Sequence, residues 1–337
     1  MPVKTEEMKI KPAKFICLTV LFLMTICSSC SENSKETNVS KKPSRELFPI
    51  EVDGRFGYIN KSGQIVIKPQ FDRAQDFSDG LARIYKAKRY GYIDATGRIV
   101  IEPRFKSAGP FSEGLAAADE GKGRGFIDKT GNYILPPKLE EIEGFSEGLA
   151  KVSVDWKPNH GYYYGFIDTK GKLVIQPLYH SANNFSEGLA AVGPHVDEGS
   201  GFGLIGFINK RGEWVIDPRF KRALDFHEGL APAYTDSDKC GYIDKKGRIV
   251  IPAQYIDCKE FSEGIAFVRK DDLMFGAIDK KGNLIIKPKF ERAWDYSGGL
   301  AKVESPASDS DYTEIGYINT SGNYVWGPVL KSRFPDK

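Results

Sequence analysis

Two short phrases alternate along this chain at nearly constant spacing, and that alternation constrains the fold more than any single residue does. The first phrase, Gly-aromatic-Ile-Asp/Asn, begins at Gly57, Gly91, Gly125, Gly165, Gly206, Gly241, Gly276 and Gly316, with Ala277 replacing the aromatic once. Successive starts lie 34 to 41 residues apart. The second phrase, Phe-Ser-Glu-Gly-Leu-Ala with small variations, begins at Phe77, Phe111, Phe145, Phe185, Phe226, Phe261 and Tyr296. A period in this range marks a supersecondary unit that buries its apolar face only against its neighbours.

One unit reads directly from its residues. In 80–111, Leu-Ala-Arg-Ile-Tyr and Tyr-Gly-Tyr-Ile-Asp have strand composition, and Arg-Ile-Val-Ile makes a third strand that Pro103 ends. The turn between the last two strands has a mechanism. Asp or Asn at 60, 94, 128, 168, 209, 244, 279 and 319 precedes Gly by three residues in every unit. The side-chain oxygen bonds backbone two residues on, and Gly takes the positive φ. These acids are therefore turn-formers rather than metal ligands. The Phe or Tyr opening each second phrase, with Phe71, Phe105, Tyr179, Phe220 and Phe290 two residues after proline, is the expected set of core plugs. The expected fold is all-β, a tandem array of about eight three-stranded antiparallel meanders over residues 46–330. Such units can stack openly or close into a β-propeller. An extra first strand (47–52) and an atypical ending at Trp326 and Gly327 favour the open stack with capped ends.

The acid of the second phrase raises the question of catalysis. Glu113, Glu147, Glu187, Glu228 and Glu263 fill one slot, and Asp79 and Gly298 also occupy it. A general acid needs an environment that moves its pKa at one site; a slot repeated in every unit reads as a structural bracket. We expect Ser and Glu here to cap backbone N–H groups at a turn. His227 sits in the Ser slot as a variant bracket. No Gly-rich phosphate loop and no nucleophile elbow or paired-His metal motif is present.

The joint phrase resembles the WG-repeat (KWG-repeat) family of bacterial proteins over nearly all of residues 46–330. The naming Trp is absent: Phe56, Tyr90, Arg124, Tyr164, Ile205, Cys240, Phe275 and Ile315 stand in its place. The resemblance implies β-rich repeats, often in secreted proteins, and brings no catalytic residues and no cofactor.

The N-terminus is a different kind of sequence. Residues 15–30 form an apolar run after Lys9, Lys11 and Lys14, too short to span a bilayer comfortably, and Ser28 and Ser29 precede Cys30. This resembles a bacterial lipoprotein signal, with Cys27 where Leu is commonest. The resemblance implies cleavage after residue 29, acylation of Cys30, a polar tether over 30–45 and a place in the cell envelope, at the outer membrane or cell surface. Two or more acyl chains hold a protein stably where one does not. Met8 is an alternative start. The remaining tail is 331–337.

Charge bounds the partners. The chain carries +3, and loss of residues 1–29 removes four lysines and two glutamates, leaving +1 with the signs interspersed. Nucleic-acid binding rests on a strong basic face, so that class is set aside. Cys240 and Cys258 remain after the signal. Cys258 fills a slot held elsewhere by Ala, which favours two small buried apolar residues; a disulfide stays open in an oxidising compartment.

Function is expected where the units differ. Three longer connections, at 153–164, 193–205 and 304–315, carry Trp156, His160, Tyr162, Tyr163, His195 and Tyr312. Stacking aromatics suit a glycan or the side chains of a protein partner, although some of the tyrosines also fit as strand residues. Four scattered histidines have no metal spacing, and the acidic 308–314 segment has no defined Ca2+-loop pattern. The reading is a lipid-anchored envelope scaffold that binds a protein or glycan and catalyses nothing. The alternatives are a glycan hydrolase with carboxylates from different repeats, and a structural spacer.

Overall fold

The structure is a computed structural model that describes residues 47–139, 141–155, 162–194, 203–235, 238–270 and 274–333. These residues contain no helix. Their strands form seven antiparallel sheets arranged in a ring, a β-propeller. Residues 42–337 make one compact unit.

The first sheet contains β1 (Leu47–Val52), β2 (Arg55–Asn60) and β3 (Ile65–Phe71). The second contains β4 (Arg73–Ser78), β5 (Leu81–Lys86), β6 (Arg89–Ile93) and β7 (Ile99–Phe105) in that order. The expected three-stranded meander thus gains a fourth strand, because the crossover before each second phrase pairs along the sheet edge. One sheet has six strands: Leu173–Ala182 runs unbroken from the outer strand of one unit into the first of the next. Eight repeat units therefore occupy seven sheets.

The outer strand carries a bulge. Tyr90 pairs with Phe105 but Tyr92 with Ile101, and the same shift recurs in the other units. Pro103 sits within it, where no ladder donor is required. The Asp/Asn turns form as expected: Asp94 Oδ1 accepts from the backbone N–H groups of Thr96 and Arg98 at 3.0 and 3.2 Å. The glycine three residues on lies at positive φ, +86° at Gly97.

The core lies between neighbouring units. Each aromatic of the first phrase meets the Phe of the next unit's second phrase: Tyr58 with Phe77, Tyr92 with Phe111, Phe166 with Phe185, Phe207 with Phe226, Tyr242 with Phe261, at ring-centroid distances of 4.7 to 5.1 Å. Where Ala277 leaves the aromatic out, Phe267 from the paired strand fills the space and stacks on Tyr296 at 5.5 Å. All the expected plugs are buried.

The ring closes through the bonds that join its neighbours, which corrects the open stack in favour of the propeller. Tyr58, Tyr92 and Tyr242 each donate a hydrogen bond to a carbonyl of the following unit, at Gln75, Gly109 and Lys259. Tyr317 of the last unit donates the same bond to Pro49 of the first, at 2.8 Å, and its ring meets Phe48. Each turn glycine likewise abuts the preceding unit's outer strand, Gly97 against Ile67 and Gly322 against Ile286, and Gly63 abuts Val325 of the last. The segments read as caps are the two sides of the final seam: Phe48 and Ile50 are buried against Leu300 and Tyr317, with Trp326 packed beside them.

Cys240 and Cys258 are both buried and joined by a disulfide, the alternative to two free small residues. Their Cα atoms lie 6.1 Å apart because the slot before each Gly of the first phrase faces the Ala slot of the next unit.

Candidate functional site: the axial cavity

The second phrase is built as a two-residue hairpin. Ser146 and Leu149 exchange both backbone hydrogen bonds, and Glu147 and Gly148 between them have φ of +54° and +85°. Two consecutive positive φ values define a type I′ turn, for which Glu is an unfavourable first residue. The compensation comes from the neighbouring unit. Glu147 accepts the N–H of Gly188 at 2.9 Å, and Glu113, Glu187, Glu228 and Glu263 accept those of Gly148, Gly229, Gly264 and Gly299. Asp79 does the same for Gly114 at 2.6 Å. Gly298 can dispense with the acid because the next unit around the ring is the first, which has no such phrase.

The slot is thus a bracket, as expected, with its partner one unit away rather than in its own turn. The Ser hydroxyl differs from expectation. It does not cap an N–H but donates to the next unit's aromatic carbonyl: Ser78 to Phe111, Ser146 to Phe185 and Ser186 to Phe226 at 2.6 to 2.7 Å. A lysine from the same neighbouring unit as the glycine completes the link, Lys210 Nζ to Glu147 Oε2 at 3.1 Å and Lys245 Nζ to Glu187 Oε2 at 3.0 Å.

These links bring together the residues just before each second phrase: Asp76, Pro110, Gly144, Asn184, Asp225, Glu260 and Asp295. A cavity of about 480 Å³ is lined by this segment from the second, third and last units with Pro49 of the first, and includes Gln75, Asp76, Trp294, Asp295 and Lys302. Four units bordering one hollow place it at the ring axis. Pro110 also borders a second cavity of about 390 Å³ with Arg124, Glu143 and Asn184.

The axial side chains are strongly coupled. Trp294 is 42 % exposed, and Lys302 Nζ lies 5.0 Å from its ring centroid. Burial pushes the Lys302 ammonium below its usual range. Asn183 Nδ2 donates to Asp225 Oδ1 at 2.9 Å, the Asp225 N–H donates to Glu260 Oε1 at 3.3 Å, and His227 Nε2 stands 3.3 Å from Glu260 Oε2. His227 has left the Ser role for this acid. Burial raises the carboxyl pKa of Asp225, Glu260 and Asp295; Glu260 is pushed further by the two aspartates, while His227 opposes the rise in all three. Near Asp225, Lys151 joins Glu143 at 2.6 Å, and Asn184 Nδ2 donates to Glu143 Oε2 at 2.9 Å. The Asn184 Oδ1 is buried with no hydrogen-bond partner among the described residues.

A sign follows for stability. Groups whose folded pKa is raised bind more protons folded than unfolded, so their contribution is fully present below the unfolded carboxylate range and is lost as pH rises through the folded value. Asp295→Asn is therefore expected to raise the melting temperature at pH 7 and to shrink the gain that the wild type shows between pH 7 and pH 5. The brackets and turn acids act oppositely, since hydrogen bonds hold Asp94, Asp244 and Glu187 below the usual range. The difference between variant and wild type, measured by calorimetry across pH, isolates the axial acid.

The loop residues expected to bind are only partly described. Trp156, His160 and His195, with Cys30, lie outside the described residues. Tyr162 opens the strand Tyr162–Asp168, and Tyr163, 9 % exposed, is a strand residue. Tyr312 is exposed at the far end of the last unit, where its carbonyl accepts from Arg333 Nε. No cluster of His, Cys, Asp and Glu able to hold a metal occurs among the described residues. The axial position varies inside an otherwise constant frame, from Asp76 through Pro110 and Gly144 to Asp295.

The WG containing repeat family matches residues 56–89, 90–122, 125–157, 164–193, 205–237, 241–273 and 275–305. No curated protein matches the chain. Among solved structures, the chain is similar to the computationally designed Ika8 protein (TM-score 0.51, 13% identity, 82% of this chain and 94% of that one). It is also similar to a eukaryotic initiation factor (0.56, 10%, 86% of each chain) and to Porphyromonas gingivalis dipeptidyl peptidase 4 (0.54, 12%, 87% of this chain and 59% of that one). At these identities the likeness is one of fold alone. With the family matched over more than half its length and the repeats arranged as a ring, the chain belongs to the WG-containing-repeat family.

Proposed function

We propose that this chain is a lipid-anchored protein of the bacterial cell envelope whose propeller binds a glycan at its axis without turning it over. The observation that carries the binding reading is the axial cavity, where an exposed indole face stands beside Asp295, Asp76 and Gln75. An aromatic face stacks on the C–H side of a sugar ring, and carboxylates and amides take its hydroxyl protons. Trp294→Ala is expected to weaken binding of an envelope polysaccharide by about 1–2 kcal/mol, roughly five- to thirty-fold, measured by titration calorimetry. Equal binding by the variant would overturn the axial site, and no saturable binding at all would support a spacer.

A second reading has its own support. Asp225, Glu260 and Asp295 come from three consecutive units, and burial raises the carboxyl pKa of each. A carboxyl with a raised pKa is what a glycan hydrolase needs as general acid. Cleavage products in the same titrations, lost with Asp295→Asn, would replace binding by hydrolysis.

The anchor rests on Cys30 after the apolar run at 15–29. Cys30→Ser is expected to move the protein from the membrane to the soluble fraction. Unchanged retention would refute acylation there.

A further inference from the structure

The ring has two unlike faces. One carries the Asp/Asn–Gly turns of every unit, and the other the connections that vary in length. Register fixes which face the chain enters from: Leu47 pairs with Asn60, beside the first turn, whereas Val52 pairs with Arg55 at the opposite end. Leu47, the first described residue of the ring, therefore lies on the turn face. Strand registers place the ends of two varied connections on the other side, where Asp155 pairs with Tyr162 and Pro306 with Thr313.

The turn face has a consistent chemistry. Lys61, Lys170, Lys172, Lys246 and Lys281 stand exposed at its turn tips. Of its acids, Glu147, Glu187 and Glu228 each hold a glycine N–H and a lysine of the ring, and the exposed Glu213 pairs with Arg211. Directly after the tips, exposed apolar pairs begin the outer strands, Ile65 with Val66, Ile249 with Val250 and Leu284 with Ile285. On the far face, the last unit's connection carries Glu304, Asp309, Asp311 and Glu314.

From this placement we infer that the turn face docks on an anionic lipid bilayer, with the varied connections held away from it. Lysines near a headgroup layer are drawn to anionic lipids, and apolar side chains beside them enter the boundary. A tether makes weak attraction sufficient, because a short flexible linker holds the attached surface at millimolar effective concentration. The inference rests on the proposed anchoring only in needing the chain held at the membrane by its N-terminal side.

The test supplies the anchor chemically. Residues 30–337, which contain the whole compact ring, are coupled through Cys30 to a maleimide lipid in phosphatidylglycerol–phosphatidylcholine vesicles. Amine-reactive labelling of individual lysines is then read by mass spectrometry. We expect labelling of Lys61, Lys170, Lys246 and Lys281 to slow several-fold relative to the uncoupled protein, with Lys86, Lys88 and Lys122 on the far face unchanged. On pure phosphatidylcholine the protection should fall away. Protection of the far-face lysines instead, or equal labelling of both faces on anionic vesicles, would overturn the inference. Because coupling replaces acylation, these outcomes do not depend on whether Cys30 is lipidated in the cell.

Discussion

Phe111→Ala is expected to destabilise the propeller by about 3–5 kcal/mol, the range for truncating a buried Phe. Phe111 is wholly buried, its ring meets Tyr92 edge-on at 4.7 Å, and its carbonyl accepts the Ser78 hydroxyl. The side chain fills the seam between two units, packed with Ile101, Phe105, Ala116 and Ile127. Unit stability is shared between neighbours in a repeat protein, so the loss is felt by both. Urea unfolding followed by circular dichroism and by Trp fluorescence measures it. The two probes should move together, because the closed ring has no terminal unit free to fray. Val66→Ala, on an exposed strand position, is the control and should stay within about 0.5 kcal/mol of wild type.

Gly91→Ala is expected to cost about 3 kcal/mol, at the upper end of what overpacking produces. A Cβ at Gly91 would lie 2.6 Å from the Ile101 carbonyl oxygen and 2.7 Å from the Pro103 nitrogen. Both are backbone atoms of the bulge and cannot rotate aside. Gly80→Ala separates the two ways a glycine matters. Nothing lies within 4 Å of a Cβ there, but its φ is +87°, so only the conformational cost of about 1 kcal/mol applies. Equal losses at the two positions in thermal or urea unfolding would show that close packing over the bulge is not what selects glycine in the first phrase.

The two glycines also show how far sequence reasoning reached. Asp-x-x-Gly announces its own geometry, because the side chain that makes the turn is three residues from the glycine that completes it. Gly91 announces nothing: its φ is ordinary, and the backbone it must clear is ten residues away across a bulge. Glu147 could be read as a bracket from its repetition, yet its partner, Gly188, is 41 residues on, in another unit. Ser146 holds the Phe185 carbonyl rather than the expected N–H, for the same reason. In sequence each axial carboxylate is an isolated polar residue beside a core aromatic; only the ring sets Asp225, Glu260 and Asp295 together.

By itself, the sequence determined what is local: strands from alternating side chains, turns from Asp and Gly, plugs from the recurring aromatics, and a core lying between units. Whether that array ends or closes was beyond it. Closure depends on the rotation accumulated over eight units, which each local contact sets only in part. Tertiary structure decided it by giving Tyr317 the acceptor at Pro49 that other units find in their successors. The axial cavity and the two unlike faces exist only because the ring is complete.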